Sequence, residues 1–335
     1  MLAVDVGKTG CRAAVWTPGS AVAHGTCEAP GAPGLATPDG VPLAEKAVLT
    51  AGRAALDQAG VRTPDAVCVG AAGAATSPSA AGELAQRLLT TLAAGEVAVT
   101  SDAITSHAGA IGASPGIVLA AGTGTVAVGL GHDGTFARVD GWGPWLGDEG
   151  SGSWIGRAGL RAVLRAHDGR GPATLLQEAA VQLHGSLDGL PGALDQGGNT
   201  ARATAAFAPI VAKAASAGDE VSIAILREAA IAWGETVVAA ARRIGGTSPL
   251  RVAVTGGLIH LGDALLSEFD TFLAGSGYAL VRVQPAGGSL EGARLLASQR
   301  DAPQEPFVVR ARPAVSWHFA SPGTAGAQQA VLLRK

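Results

Sequence analysis

The stretch MLAVDVGKTGCRAAVW, residues 1–16, is two short apolar runs joined by Gly7-Lys8-Thr9-Gly10, and the design returns as IVLAAGTGTVAVGL at residues 117–130. Glycine at both ends of the first turn, and Gly122-Thr123-Gly124-Thr125 in the second, predict tight antiparallel hairpins. The two turns start about 115 residues apart, which predicts a duplicated domain. Backbone N–H groups bunched in such turns can surround an anion. Asp5 stands at the end of the first strand, and a carboxylate beside a phosphate nest calls for a hard cation. Mg²⁺ meets that need, since it prefers oxygen ligands, keeps several waters and bridges carboxylate to phosphate oxygens. Glycine turns after strands are common in themselves, and neither GxxxxGK[ST] nor a helix-opening GxGxxG accounts for these two.

Working outward, Leu43–Ala59 has apolar residues at helical spacing, and short strands at Val67–Gly70 and Val97–Thr100 flank a second predicted helix at Glu83–Ala94. Strand, helix, strand, helix, strand implies a parallel portion of sheet and an α/β fold. Helices are predicted at Ser153–His167, Ala173–His184, Thr200–Ala217, Val221–Ile244 and Leu290–Gln299, with a strand at Arg251–Thr255. The expected organisation is an N-terminal domain over residues 1–112, a C-terminal domain with helical insertions over 113–300, and a tail over 301–335 whose placement the sequence leaves open. Its strand-like part is Phe307–Arg310.

Composition narrows the function classes. At 335 residues, with 47% hydrophobic and 15% charged residues, the chain is long enough for two domains around a cleft and too apolar to be disordered. A net charge of −3 without a basic run speaks against nucleic acid as a partner. Three cysteines without CxxC spacing indicate neither a disulfide frame nor a cysteine metal site and fit a reducing cytoplasm. No export signal or membrane span is expected.

Two acidic positions stand out. Asp102 follows the strand Val97–Thr100, and the carboxyl end of a parallel strand faces the crevice where ligands bind, which makes it a candidate general base. The competing role is an N-cap for the next helix. The segment DGWGPWLGDEGS, residues 140–151, combines two tryptophans, adjacent acids and four glycines. Carboxylates and an aromatic face are how proteins hold sugars, while Asp148 and Glu149 also suit a helix N-terminus. In VTGGL, residues 254–258, the Gly256-Gly257 pair after a buried strand would let a flat base lie against backbone.

Taken together, VDVGKTG (4–10), SDA (101–103), AGTGT (121–125), GWGPWLGDEGS (141–151), VTGGL (254–258) and GGSLEGA (287–293) resemble the sugar kinase and actin-like ATPase superfamily, and within it the BadF/BadG-type ATPase family. GWG…GDEGS is the specific part. The resemblance implies a duplicated ribonuclease H-like fold with ATP and a sugar in the cleft. It implies Mg²⁺ and phosphate contacts at Asp5, Gly7, Lys8 and Thr9, the metal held through water, and further phosphate contacts at Gly122, Thr123 and Gly124. Gly256 and Gly257 would face adenosine. Asp102 would take the proton of a sugar 6-hydroxyl, with Gly141, Trp142, Asp148 and Glu149 around the sugar. Phosphorylation of an amino sugar, N-acetylglucosamine or glucosamine, is the implied activity. The same family includes dehydratase activators, but these hold an iron–sulfur cluster on cysteines, for which this chain has no motif. A homodimer stays open.

Overall fold

A computed structural model describes residues 1–17, 19–195, 198–245 and 249–313. The first half of the chain gives β1 (Leu2–Val6), β2 (Gly10–Val15), β3 (Gly25–Pro30), α1 (Gly40–Gln58), β4 (Ala66–Ala71), α2 (Pro78–Thr91), β5 (Glu96–Thr100) and α3 (Asp102–Ile111). There follow β6 (Gly116–Ala121), β7 (Thr125–Leu130), β8 (Phe136–Asp140), α4 (Gly152–His167), α5 (Leu176–His184), α6 (Leu190–Asp195), α7 (Thr200–Ala205), α8 (Ala208–Ser216) and α9 (Glu220–Arg243). The chain continues through β9 (Leu250–Thr255), α10 (Asp263–Gly275), β10 (Leu280–Val283), α11 (Ser289–Ser298) and β11 (Val309–Ala311).

These strands make two mixed sheets, ordered β11-β5-β4-β1-β2-β3 and β10-β9-β6-β7-β8. Each carries the expected antiparallel hairpin, with Val6 paired to Cys11 in one and Ala121 to Thr125 in the other. In each, the first hairpin strand also runs parallel to a later strand, β1 with β4 and β6 with β9. This is the duplicated α/β architecture of the actin-like ATPases.

Period-two patterning assigns the faces. In the first sheet Leu2, Val4, Val67, Val69, Val97 and Val99 pack on α1 and α2. The alternate residues Ala3, Cys68 and Ala98 turn to Ile104 and Ala108 of α3 and Leu296 of α11. Small residues on that face let two helices lie close. In the second sheet Ile117, Leu119, Val252 and Val254 join the helical core around Trp233 and Phe269, while Val118 and Ala253 meet Ala110 and Ile111 of α3. Helix α3 therefore touches both sheets. It crosses α11 at backbone contact: a Cβ on Gly109 would overlap the carbonyl of Gly288, and one on Gly292 would overlap that of Thr105. Ser106 and Ser289 hydroxyls add a 2.9 Å hydrogen bond at the crossing.

Helix α11, which falls at the end of the expected C-terminal domain, packs on the first sheet rather than the second. Of the tail, residues 301–313 also return to the first sheet, where β11 runs antiparallel to β5. Residues 314–335 lie outside the described residues. The helix expected over Thr200–Ala217 is broken at Ala206-Phe207, because Pro209 has no N–H to continue the ladder and starts α8 afresh.

Candidate functional site

Both hairpin turns leave amides bare. Gly7 N–H donates to the Gly10 carbonyl at 2.9 Å and Gly122 N–H to the Gly124 carbonyl at 2.9 Å. Among the described residues, the amides of Lys8, Thr9, Thr123 and Gly124 find no protein acceptor. The second turn is fixed from behind by the start of α4, where the Gly152 and Ser153 amides donate to the Gly122 and Thr123 carbonyls at 2.8 and 3.2 Å. The Lys8 and Thr9 side chains are exposed at the tip of the first turn.

Asp5 sits near the end of β1 opposite Arg12 of β2, and Arg12 Nη2 donates to Asp5 Oδ2 at 2.6 Å. Asp5 Oδ1 makes no protein hydrogen bond among the described residues.

Asp102 is the first residue of α3, and the capping role falls to Ser101, whose Oγ accepts from Ile104 N–H at 3.3 Å. The Asp102 carboxylate accepts from the Ala103 amide, at 2.9 Å. Burial raises its pKa above the ordinary aspartate value; that amide opposes the shift, the Asp5 charge adds to it, and Arg138 opposes it again. Charges from the first hairpin and from β8 of the second sheet are thus both felt at Asp102.

The GWG…GDEG segment is organised by a residue that the sequence reading left unassigned. Asp140 ends β8 with φ 62°, and its two carboxylate oxygens accept the Asp148 and Glu149 amides at 2.8 and 2.9 Å. A carboxylate eight residues ahead of two glycine-flanked amides was the available signal. Asp148, itself at φ 55°, accepts from Gly143 N–H at 3.2 Å. It lies so close to Gly124 that a Cβ there would stand 2.6 Å from Asp148 Oδ2. Burial raises the Asp148 pKa, against the pull of the Gly143 amide. Helix α4 is capped by Ser151, not by Asp148 or Glu149. Glu149 is exposed.

Arg138 was also unassigned. It reaches back to the Gly141 carbonyl and lies over the Trp142 ring at 5.7 Å from the centroid. Trp142 nonetheless stays 71% exposed. A large apolar ring held in place yet open to solvent is a preformed face for a ligand.

Gly256 directly follows β9 with φ 94°, and a Cβ on it would overlap the Ala121 carbonyl, so only glycine lets the chain close against the second hairpin there. Gly257 faces open space and begins a 3₁₀ turn running to His260.

The chain matches the model of the BadF/BadG/BcrA/BcrD ATPase family over residues 2–297. It belongs to that family. Among curated proteins it is 32% identical over 212 residues to an N-acetylmuramic acid/N-acetylglucosamine kinase of Clostridium acetobutylicum, covering 62% of this chain and 69% of that one. It is 35% identical over 151 residues to an N-acetyl-D-glucosamine kinase of Dictyostelium discoideum, covering 44% of this chain and 47% of the other, so the match spans about half the length of that relative. A crystal structure of a candidate N-acetylglucosamine kinase from Chromobacterium violaceum superposes with TM-score 0.69 at 31% identity, covering 89% of this chain and 98% of that chain. Within this BadF/BadG member, the family match stops at residue 297, just before the end of α11, so β11 lies beyond it.

Proposed function

We propose that the protein transfers the γ-phosphoryl group of ATP to the 6-hydroxyl of an amino sugar, N-acetylglucosamine or glucosamine. The observation that carries this reading is the Asp102 carboxylate. It is half-buried, accepts from the Ala103 amide, and feels the charges of Asp5 from the first lobe and Arg138 from the second. Phosphoryl transfer asks for in-line placement and charge stabilisation more than covalent chemistry, so bare amides, one base and a metal suffice. The amides at Lys8, Thr9, Thr123 and Gly124 suit phosphate oxygens, and Gly256-Gly257 suit the adenosine. Asp102 accepts the hydroxyl proton as the acceptor oxygen attacks. Trp142 offers its ring to the sugar face, with Gly141, Asp148 and Glu149 around it.

The residues fit Mg²⁺. The donors near the bare amides are carboxylate oxygens, Asp5 Oδ1 has no protein partner, and Asp102 adds a second carboxylate nearby. Among the described residues there is no cluster of three or more His, Cys, Asp or Glu side chains able to hold a metal. That suits an ion bound largely through phosphates and water. Mg²⁺ bound there would neutralise charge developing on the phosphates; Asp5 would hold it through water.

Release of ADP, measured by a coupled assay over a panel of amino sugars and other hexoses, tests the reading. Amino sugars should drive turnover, and Asp102→Asn should lower kcat by on the order of 10² to 10⁴ while ATP still binds. Unchanged turnover in that variant removes Asp102 from the chemistry.

A further inference from the structure

A cavity of about 320 Å³ opens next to the Asp102 turn, between Ala75, Ser101 and Ile104 on one side and Phe136, Phe307 and Val309 on the other. No charged residue lines it. Its two side-chain hydroxyls both take part in hydrogen bonds: Thr100 Oγ1 donates to the Phe307 carbonyl at 2.7 Å, and Ser101 Oγ accepts from Ile104 N–H. A ligand group entering this space meets a lining that is mostly hydrocarbon. Apolar groups are favoured and charged ones refused.

The cavity adjoins the Asp102 turn, on the acceptor side of the cleft. Ser101 in its wall immediately precedes Asp102. Along β8, Ala137 and Val139 turn into the second core, so Phe136, Arg138 and Asp140 share the opposite face. Successive residues on one face of a strand are about 7 Å apart. Phe136 in the cavity wall is therefore one such step from Arg138, which holds Trp142, and two from Asp140, which holds the Asp148 loop.

The far wall comes from outside the family match, which ends at residue 297. Phe307 packs on Phe136 with ring centroids 5.0 Å apart. Arg310, one residue beyond Val309, is fixed by Glu96 at 2.7 Å and Glu305 at 2.6 Å, so this wall is a built one. The volume equals on the order of ten water-sized groups, far more than one acetyl methyl requires.

We propose that this cavity is a subsite for an apolar substituent on the acceptor sugar, larger than acetyl. This rests on the kinase reading above. The substituent could reach the cavity from the amino nitrogen as an acyl chain or from an oxygen as an aryl aglycone, and the two sources separate in the assay.

The test compares kcat/KM for glucosamine, its N-acetyl, N-propionyl, N-butanoyl and N-benzoyl derivatives, and the phenyl glycoside of N-acetylglucosamine. Ala75→Trp is the partner variant, since Ala75 lies on the exposed rim and the ring would fill the cavity without disturbing the core. Burial of each added methylene is expected to raise kcat/KM about fourfold in the wild type. Ala75→Trp should abolish that rise and leave glucosamine turnover unchanged. A gain along the acyl series assigns the cavity to an N-acyl chain; a gain confined to the phenyl glycoside assigns it to an O-linked group. If kcat/KM falls from acetyl onward, or Ala75→Trp slows every acceptor equally, the subsite is overturned and the kinase reading stands. If no sugar drives ADP release, the kinase reading fails and the subsite with it.

Discussion

Asp102, the proposed base, must be ionised to accept a proton, so the pH profile reads its surroundings directly. Burial holds its carboxyl above the ordinary aspartate value, and kcat/KM should fall as pH drops through that raised value. Arg138 opposes the shift. Arg138→Met removes the opposing cation and is expected to move the acid limb to higher pH; a limb that stays in place would dissociate Arg138 from Asp102. Asp140 gives a second residue-scale prediction. Asp140→Ala strips the acceptors from two amides that position Asp148, at about 1 to 3 kcal/mol of lost hydrogen bonding. Its effect should fall on the sugar KM, by tenfold or more, with the ATP KM nearly constant. Equal changes in both KM values would mean that the loop serves the fold alone. The positions of Asp5, Asp102 and the GDEG acids could be picked out as candidates because each lies at a strand end or among glycines. Arg138 and Asp140 were not, because their roles depend on a strand, β8, whose polar cleft face hid it from alternation.

At the scale of elements, the hairpins, α1, α4, α9 and β9 could be read from apolar spacing and glycine turns, since these segments bury one regular face. β3 and β8 could not. Both are edge strands with polar residues on the outer side, and β3 runs into Pro30. β11 is a three-residue strand whose order depends on a long-range ion cluster. Glu96, buried on β5, meets Arg300 at 2.8 Å, Arg310 at 2.7 Å and also Arg312. Burial raises the Glu96 pKa, but the Arg312 and Arg310 hydrogen bonds outweigh it and leave it below the ordinary value. A carboxyl depressed in the folded state contributes stability above its unfolded pKa, and that contribution is lost as pH falls below 4.5. Glu96→Gln should therefore lower stability by about 3 kcal/mol at neutral pH, with the difference from wild type shrinking in acid. Denaturant melts at both pH values measure it. An unchanged neutral melt would show that hydrocarbon contacts alone hold β11.

For the whole molecule, duplication was visible in the repeated hairpin, but the return of α11 and β11 to the first sheet was not. That return relies on Gly109 and Gly292 meeting across the α3–α11 crossing, a contact between residues about 180 positions apart. In the proposed arrangement, with phosphates between a hairpin from each lobe and a sugar beside them, closure should exclude water from the transferred group. Small-angle scattering with an amino sugar and a non-hydrolysable ATP analogue should show a smaller radius of gyration than the free protein; an unchanged radius would refute closure. The central claim, that this cleft phosphorylates an amino sugar, is tested most directly by ADP release with and without the acceptor. Slow hydrolysis of ATP alone and a large stimulation by N-acetylglucosamine or glucosamine is the predicted result, because the site is completed only when the acceptor is bound. ATP hydrolysis that is indifferent to every amino sugar would contradict it.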